Sequence, residues 1–261
     1  MKQLRSTYSD LQRIFTQGIT VREIAEPLAT FDHTASVDDV HKFMEDKDFD
    51  VVGILDNGKV SGYARRQKLS TGKLGNFKIA FREDEVVDES EPLLAALKAL
   101  KHNKCLFVRF LGQPSGIVTR GDLQKAPTRM WLFGLITLFE MQMLRCIRRV
   151  YPDESWKSVL TAEPIRKAEE KLTKLKKRNE ATSLDDCLTL EDKAIIFKDS
   201  KNLLKILDMR YGAEWWQFFS SLRDLRNDLA HAGDFMPQEW TKHDELINRL
   251  VKLLVKLETT G

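Results

Sequence analysis

Residues 116–123, Gly-Ile-Val-Thr-Arg-Gly-Asp-Leu, decide the fold of the first half of this chain. The apolar, β-branched run at the start of this segment predicts a strand, and the polar residues that follow predict a turn into a helix near Asp122. The same order of elements occurs earlier in the chain, where Gly62 stands 54 residues before Gly116. Internal similarity at such a period indicates a duplicated structural unit.

Each copy of this repeat predicts a helix, a strand, a turn and a second strand, followed by a further helix start near Arg66 in the first copy and at Asp122 in the second. In the first copy they lie at roughly 37–46, 51–55, 56–58 and 59–64, and in the second at roughly 92–102, 105–110, 112–113 and 115–119. A turn-linked pair of strands forms a hairpin, and a hairpin with an apolar face must bury that face against another element. The two half-sheets are therefore expected to pack together.

The strand pattern stops after Pro127 and only helical periodicity follows. Helices are predicted at 129–149, 163–180, 191–209, 214–232 and 237–258, and an amphipathic helix is predicted over 1–17. The predicted fold class is α+β: α/β repeats with small sheets, followed by an all-α bundle. The expected domains are an N-terminal helix (1–19), a duplicated module (20–127) and a helical bundle (128–261).

The composition indicates a globular protein with a highly charged surface. Of 261 residues, 42% are hydrophobic and 31% are charged, and the net charge is only +3 at pH 7. A bulk polycation is excluded, so any nucleic-acid binding must come from local patches. Two basic clusters either bind the RNA backbone or are solvated helix faces. One consists of Lys171, Lys174, Lys176, Lys177 and Arg178, and the other of Arg145, Arg148 and Arg149.

Several classes of protein are excluded by missing motifs. No P-loop, zincin, C-x-x-C or nucleophile-elbow string occurs. Cys105, Cys146 and Cys187 are far apart among apolar neighbours, which favours reduced thiols over a disulfide framework or a zinc site. The first residues are too charged for a signal peptide, and the apolar stretch 130–144 contains Glu140 and is too short to span a bilayer. We expect a cytoplasmic protein without a membrane partner.

The G-x-x-T-x-x-D pattern at residues 116–122 resembles the signature that closes a repeat of the CBS family. Two tandem CBS repeats form one α/β module that commonly binds adenosine-containing ligands, and the resemblance covers about residues 20–125. It implies a regulatory adenine nucleotide such as AMP, ADP or ATP. In that interpretation Thr119 donates to a phosphate oxygen, Asp122 accepts from two ribose hydroxyls, and Arg120 offers its guanidinium to a phosphate. The exposed backbone N–H groups of the helix start at Asp122 are expected to favour an anion.

The first repeat departs from this pattern, because Arg65 replaces the threonine and Lys68 replaces the aspartate. Binding of ribose hydroxyls is not expected there, although Arg65, Arg66 and Lys68 could bind the phosphates of a nucleotide. One nucleotide site per module is the expectation. The alternative is that Thr119 only bonds back to its own turn and Asp122 only caps a helix, in which case the module is a scaffold.

Residues 226–231, Arg-Asn-Asp-Leu-Ala-His, lie on one of the predicted helices. An apolar stripe along that helix is formed by Leu222, Leu225 and Leu229. At about 100° per residue, Asn227 and His231 lie about 40° apart on another face, with Arg226 beside them. In the same bundle, Glu140 interrupts an apolar run and needs a partner, for which Arg226 is one candidate. The aromatic residues before the motif are expected in the bundle core: Trp215, Trp216, Phe218 and Phe219.

This R-x4-H string, with a polar residue directly after the arginine, resembles the motif of HEPN ribonucleases. The resemblance spans about residues 129–258 and implies a homodimer, because HEPN bundles commonly dimerise and bring two motifs together. It also implies an RNA substrate and metal-independent cleavage, in which the ribose 2′-hydroxyl attacks the adjacent phosphate without a catalytic cofactor. Arg226 would stabilise transition-state charge, His231 would transfer a proton or hold the phosphate, and Asn227 would orient one of them.

Two other functions stay open at the level of sequence. The bundle could serve as a non-catalytic, adenine-nucleotide-responsive module that binds RNA or a partner chain. Alternatively, the chain could be the toxin half of a toxin–antitoxin pair with a purely structural CBS module. The combination of sensor and nuclease implies a stress or phage-defence role by family analogy.

Overall fold

The structure is a computed structural model that describes residues 7–207, 212–230 and 240–260. The described residues form two compact units. The N-terminal unit consists of residues 13–128, and the helical unit consists of residues 7–12, 129–230 and 241–260 except for the undescribed gaps. The first helix of the described residues is α1 (Tyr8–Gln17), and the backbone N–H of Tyr8 donates to Glu258 Oε1 at 2.5 Å in the helical unit.

The N-terminal unit is built on two small sheets. Its further elements are β1 (Glu26–Pro27), β2 (Thr30–Asp32), α2 (Val37–Asp46), β3 (Val51–Asp56), β4 (Lys59–Arg65), β5 (Val86–Asp88), α3 (Leu93–Ala99), β6 (Cys105–Phe110) and β7 (Gln113–Thr119). One sheet has the order β2-β3-β4 and the other β1-β7-β6-β5. Each hairpin carries a parallel third strand, β2 on β3 and β5 on β6. Strand β1, which precedes the first copy of the repeat, pairs with β7 and thus belongs to the sheet of the second copy.

The two hairpins share local irregularities at the same repeat positions. The register of β3–β4 shifts between Ile54 and Leu55, and that of β6–β7 shifts between Val108 and Arg109. Both turns have two successive residues with positive φ, namely Asn57 (49°) and Gly58 (74°), and Leu111 (47°) and Gly112 (81°). Such turns match the right-handed twist of a hairpin. The predicted duplication is thus present in the backbone, at the predicted spacing.

Close packing explains why glycine occupies positions 62 and 116. A Cβ atom at Gly62 would lie 2.6 Å from the carbonyl oxygen of Ile79, and one at Gly116 would lie 2.4 Å from the Phe110 ring. Helix α2 covers the β2-β3-β4 sheet through a buried cluster of Val40, Met44, Val52, Ile54, Ala64 and Leu74. A second cluster joins the sheets, where the rings of Tyr63 and Phe107 lie 4.6 Å apart.

The helix starts predicted at Arg66 and Asp122 are wrong in type. The structure has only short 3-10 helices there, Arg66–Lys68 and Gly121–Gln124. A single 3-10 turn aligns few peptide dipoles, so the expected attraction of an anion to an α-helix N-terminus at Asp122 does not apply. The helix predicted over 92–102 is also shorter, since α3 covers Leu93–Ala99.

The described residues of the helical unit contain helices and no strand. They are α4 (Ala126–Val150), α5 (Ala162–Lys176), α6 (Leu190–Asp199), α7 (Lys201–Leu207), α8 (Ala213–Ala230) and α9 (Trp240–Thr260). The helix predicted over 191–209 is divided, because Ser200 adopts an extended backbone (φ −98°, ψ 114°) between α6 and α7. The helix predicted over 163–180 ends at Lys176, and Asn179 has a φ of 57°.

Aromatic side chains of α4 and α8 meet in the core of the helical unit. The Phe139 ring lies 6.0 Å from Phe218 and 6.2 Å from Phe219. Trp215, Phe218 and Phe219 are buried as predicted, whereas Trp216 is 40% exposed. The stripe of Leu222, Leu225 and Leu229 is buried, which confirms that the opposite side of α8 carries the polar residues.

Helix α4 is longer than the apolar stretch read from the sequence. By length and composition alone, this 25-residue helix is long and apolar enough to cross a membrane. However, 61% of its most apolar stretch of 18 residues is buried inside the protein. Burial of this kind is typical of a core helix. All three cysteines are buried and free, and burial raises the pKa of the Cys105 and Cys146 thiols.

Candidate functional site

The N-terminal unit contains a cavity of about 680 Å³. Its apolar wall includes Leu28 and Ala29, which follow β1, and Val51 and Cys105, which begin β3 and β6; its polar wall includes Thr119 and Asp122. The start of one hairpin and the end of the other meet here because the two copies of the repeat pack sheet against sheet. The cavity volume lies in the range of about 300–1,000 Å³ that small-molecule sites occupy.

Thr119 and Asp122 contact each other in this wall. Asp122 Oδ2 accepts from the backbone N–H of Thr119 at 2.7 Å and from its hydroxyl at 3.0 Å. Asp122 Oδ1 lies 2.9 Å from Lys125 Nζ, and the residue is only 9% exposed. A carboxylate has about four acceptor positions, so these three bonds leave little capacity for two ribose hydroxyls. These contacts therefore agree with the alternative in which Thr119 and Asp122 only bond to each other within their own turn.

Lys125 does not line the cavity but contacts two residues of its wall, and it was not predicted from the sequence. Its ammonium donates to the carbonyl oxygen of Ile24 at 2.6 Å and contacts the carboxylates of Asp122 and Glu26. Burial alone would lower the pKa of Lys125, but the hydrogen bonds to Glu26 and Asp122 raise it above the usual value. Its position three residues after Asp122 is the only local signal, because Glu26 and Ile24 reach it through the tertiary fold.

Arg120 does not join Thr119 and Asp122 in the cavity wall. Its guanidinium donates to the carbonyl oxygens of Leu100 and Lys101 at 3.2 and 3.4 Å, just beyond the end of α3. A cation at a helix C-terminus satisfies carbonyl groups that lack helical partners. The structure thus places Arg120 in helix termination rather than beside a phosphate.

Of the three basic residues of the first repeat, Arg65 alone lines the cavity. Its guanidinium lies 3.4 Å from the Tyr63 hydroxyl and 3.7 Å from Glu85 Oε1. Arg66 instead forms ion pairs of 3.2 Å with both Asp48 and Asp50, and Lys68 is exposed. The replacement of threonine by Arg65 therefore adds one positive charge to the cavity wall.

The helical unit contains a second concavity, a polar cleft of about 500 Å³. Four helices line it: α4 supplies Glu140, α5 supplies Lys171, α6 supplies Lys193, and α8 supplies Arg223, Arg226 and Asn227. The buried leucine stripe of α8 faces the core, and this orients the polar side of the helix toward the cleft.

Glu140 is the centre of this cleft because it binds two cations. Its Oε1 lies 3.1 Å from Arg226 Nε, and its Oε2 lies 3.0 Å from Lys193 Nζ. The side chains of Glu140 and Lys193 are 16% and 7% exposed, whereas that of Arg226 is 46% exposed. The predicted partnership of Glu140 with Arg226 is confirmed, and Lys193 is a second partner that the sequence analysis did not identify.

Asn227 lines the same cleft, and its neighbour Asp228 takes part in the end of the helix. The guanidinium of Arg129 donates to the carbonyl oxygens of Asp228 and Leu229 at 2.8 and 3.2 Å. Arg129 thus caps the last turn of α8. His231 lies outside the described residues, so its predicted position beside Asn227 stays a prediction.

An ion cluster holds one wall of the cleft. Arg148, near the end of α4, contacts the carboxylate of Asp185 and lies 2.7 Å from Asp186 Oδ1. Burial would raise the pKa of both carboxyls, but hydrogen bonds from Ser183 and Arg148 lower them below their usual value. Residues 185–187 lead into α6, so this cluster holds in place the segment that precedes the helix carrying Lys193. Across residues 7–207, 212–230 and 240–260, no group of three or more metal-ligating side chains occurs.

No protein-family model matches the chain, and no curated protein matches it. Its N-terminal part is similar in structure to the CBS-pair protein CBSX2 from Arabidopsis thaliana, solved in complex with AMP. Identity is 22% and the TM-score 0.37, over 43% of this chain and 98% of that chain. The CBS domain of a bacterial CNNM/CorC family Mg²⁺ transporter, in complex with ATP, has 18% identity and a TM-score of 0.34 over 41% of this chain and 85% of that chain.

A protein from Methanocaldococcus jannaschii covers more of the sequence. It shares 16% identity at a TM-score of 0.39, over 81% of this chain and 99% of that chain. Similarities of this size concern the fold alone, and the AMP and ATP complexes describe those other proteins.

Proposed function

We propose that this protein is an adenine-nucleotide-regulated, metal-independent endoribonuclease of the HEPN type. The observation that carries the proposal is the polar cleft in which Arg226 and Asn227 lie together with Lys193 and Glu140. These are the first two residues of the R-x4-H motif, and they occupy a concave, polar surface rather than a flat helix end. A structural role alone does not require a buried lysine and an arginine around one carboxylate.

The chemistry follows from the substrate's own nucleophile. The 2′-hydroxyl oxygen attacks the adjacent phosphorus, the bond from phosphorus to the 5′-oxygen breaks, and the products carry a 2′,3′-cyclic phosphate and a 5′-hydroxyl. One proton leaves the 2′-hydroxyl and one reaches the 5′-oxygen. Arg226 stabilises charge on the phosphate oxygens, Asn227 orients the phosphate or its partner, and His231 transfers a proton.

The cavity of the N-terminal unit is the proposed site of the regulatory nucleotide. Its volume suits a nucleotide, its wall contains Thr119 and Asp122, and Arg65 adds a positive charge. Ribose hydroxyls would take over bonds that Asp122 now makes with Thr119 and Lys125. Regulation requires that the nucleotide bind two states with different affinity, and a coupling of about 1–3 kcal/mol is typical.

A purified-protein assay tests the enzyme directly. Total RNA is incubated with the protein, with and without EDTA, AMP and ATP, and the ends of the products are mapped. We expect cleavage that survives EDTA, leaves 2′,3′-cyclic phosphate ends and changes rate with nucleotide. Cleavage of DNA, or cleavage abolished by EDTA, would contradict the proposed mechanism.

A second candidate is a non-catalytic, nucleotide-responsive module that binds RNA. It is favoured by the ion pair of Arg226 with Glu140, because a guanidinium that already binds a carboxylate is less available to stabilise the charge of a transition state. This function predicts retardation of RNA in a gel and no new product under any nucleotide condition.

A further inference from the structure

Lys193 occupies a position that neither solvation nor helix stability explains. It is the fourth residue of α6, at the positive end of the helix dipole, where a cation is unfavourable. Its side chain is only 7% exposed, and removing an ammonium group from water is costly. The helix start is already capped by Thr189 and Asp192, which bond to each other's backbone N–H groups. The lysine therefore contributes something other than a cap.

The charges around Lys193 do not cancel. Glu140 carries one negative charge, whereas Lys193 and Arg226 carry one positive charge each, so this trio has a net charge of +1. The other two carboxylates of the cleft each lie beside an arginine that a second carboxylate shares. Glu191 lies 3.5 Å from Arg223, which also pairs with Asp224, and Asp186 lies 2.7 Å from Arg148, which also pairs with Asp185. Among the side chains that line the cleft, the four cations outnumber the three carboxylates by one, and two of these cations, Lys193 and Arg226, belong to the trio.

We infer that Lys193 and Arg226 form a two-cation clamp, organised by Glu140, for a phosphate of the RNA backbone. This inference deepens the proposed function, because it assigns Lys193 to the same site and names what the site holds. Lys193 binds the phosphate beside Arg226, and Glu140 is a positioning residue that keeps both cations in the cleft between phosphate contacts.

The hydrogen-bonding groups of the clamp agree with this role. Arg226 pairs with Glu140 through Nε, and a guanidinium has two further amino groups that can donate to a ligand. Lys193 has three N–H donors, and one bond to Glu140 uses a single donor. A phosphate presents several acceptor oxygens and is bound well by a lysine point charge next to an arginine fork.

Binding of a non-cleavable RNA tests the clamp without relying on cleavage. The probe is a fluorescent, mixed-sequence oligonucleotide with 2′-O-methyl groups throughout, titrated at several salt concentrations with the full-length protein. We compare Lys193→Met and Arg226→Met with Lys205→Met, a lysine exposed on α7 outside the cleft. Each clamp variant is expected to weaken binding about tenfold and to reduce the salt slope by about one, whereas Lys205→Met stays within about twofold.

Two further variants separate the clamp from a purely structural lysine. Lys193→Arg keeps the charge and should retain most of the binding. Glu140→Gln keeps a side-chain oxygen that can still accept from a cation, but it raises the net charge of the trio to +2. It should therefore tighten binding of the same probe, a result that a structural role for Lys193 does not produce. A folded Lys193→Met protein with wild-type affinity and salt slope would overturn the inference, as would weaker binding by a folded Glu140→Gln protein.

A parallel cleavage assay with unmodified RNA distinguishes failure of the clamp from failure of the proposed function. If unmodified RNA is cleaved by the wild-type protein and equally by Lys193→Met, the clamp is wrong and the nuclease stands. If the probe is bound through Lys193 and Arg226 but unmodified RNA stays intact, the nuclease is wrong and the clamp stands.

Discussion

The Oε1 atom of Glu140 on α4 lies 3.1 Å from the Nε atom of Arg226 on α8. This contact joins two residues that are distant in sequence and explains how a carboxylate is tolerated in an apolar helix. Because Glu140 also binds Lys193, the position of Arg226 depends on charges from three helices. Substitutions of the two buried members, Glu140 and Lys193, are expected to affect stability and RNA handling together.

Loss of the Glu140 charge should destabilise the helical unit. In Glu140→Gln the Lys193 ammonium stays buried without a counter-ion, so we predict that the free energy of unfolding falls by about 2–4 kcal/mol. Urea denaturation measures it. The double variant Glu140→Gln/Lys193→Met should recover much of the loss, since it leaves no buried charge unpaired. Glu163→Gln, in an exposed pair with Arg166, is the control and should change little. A double variant as unstable as the sum of the single variants would contradict the coupling.

Removal of the motif residues should separate chemistry from folding. We predict that Arg226→Ala and His231→Ala each lower RNA cleavage by about a hundredfold or more, because loss of one transition-state donor has this effect in other enzymes. Arg226 is about half exposed, so Arg226→Ala should cost little folding free energy. Single-turnover cleavage and thermal melts measure both quantities. Arg166→Ala, at an exposed arginine of α5 outside the cleft and outside both basic clusters, is the matched control. Full activity of Arg226→Ala would exclude the proposed site.

Nucleotide binding should depend on Asp122 and not on Lys68. A ligand that binds only the folded state raises the melting temperature by mass action, so we predict a rise with AMP or ATP in the wild-type protein. Asp122→Ala should abolish this rise relative to its own ligand-free baseline, because Asp122 lines the cavity. Lys68→Ala should keep it, since Lys68 does not line the cavity. Differential scanning fluorimetry decides between them, and equal loss in both variants would refute a single competent site.

The Arg148 cluster should make stability depend on pH at the acid end. Asp185 and Asp186 have lower pKa values in the folded protein than their usual 3.8. Their contribution is therefore complete above about pH 5 and is lost as the pH falls through the folded values. We predict that Arg148→Met lowers the free energy of unfolding by about 1 kcal/mol at pH 7. The difference from wild type should shrink below pH 4. A constant difference in urea denaturation from pH 7 to pH 3 would show that the lowered pKa values do not arise from Arg148.

Assembly should be needed for activity if the R-x4-H site is composite. We predict a homodimer at micromolar concentration by light scattering. Mixing Arg226→Ala and His231→Ala proteins should restore part of the cleavage if the two motifs act across the dimer. A strict monomer with full RNase activity would exclude the composite site.

The duplication could be predicted from local sequence patterns. Turn residues, apolar strands and the glycines at positions 62 and 116 recur at a period of 54, and the structure repeats the bulges and left-handed turn residues at that spacing. Local patterns succeed here because backbone twist and close packing restrict which residues a hairpin accepts. The break between α6 and α7 at Ser200 was not readable, because serine tolerates helical and extended backbone alike.

The candidate site divides in the same way. Helical periodicity predicted that Arg226 and Asn227 lie on the polar side of a helix whose leucines are buried, and the apolar run around Glu140 predicted that this carboxylate needs a partner. Tertiary structure alone decided that Lys193 is that carboxylate's second partner, that Arg120 caps α3, and that Lys125 holds Asp122. Helical periodicity specifies which face a residue occupies. Ion pairs between distant elements depend on how helices and sheets pack, and packing is a property of the whole fold.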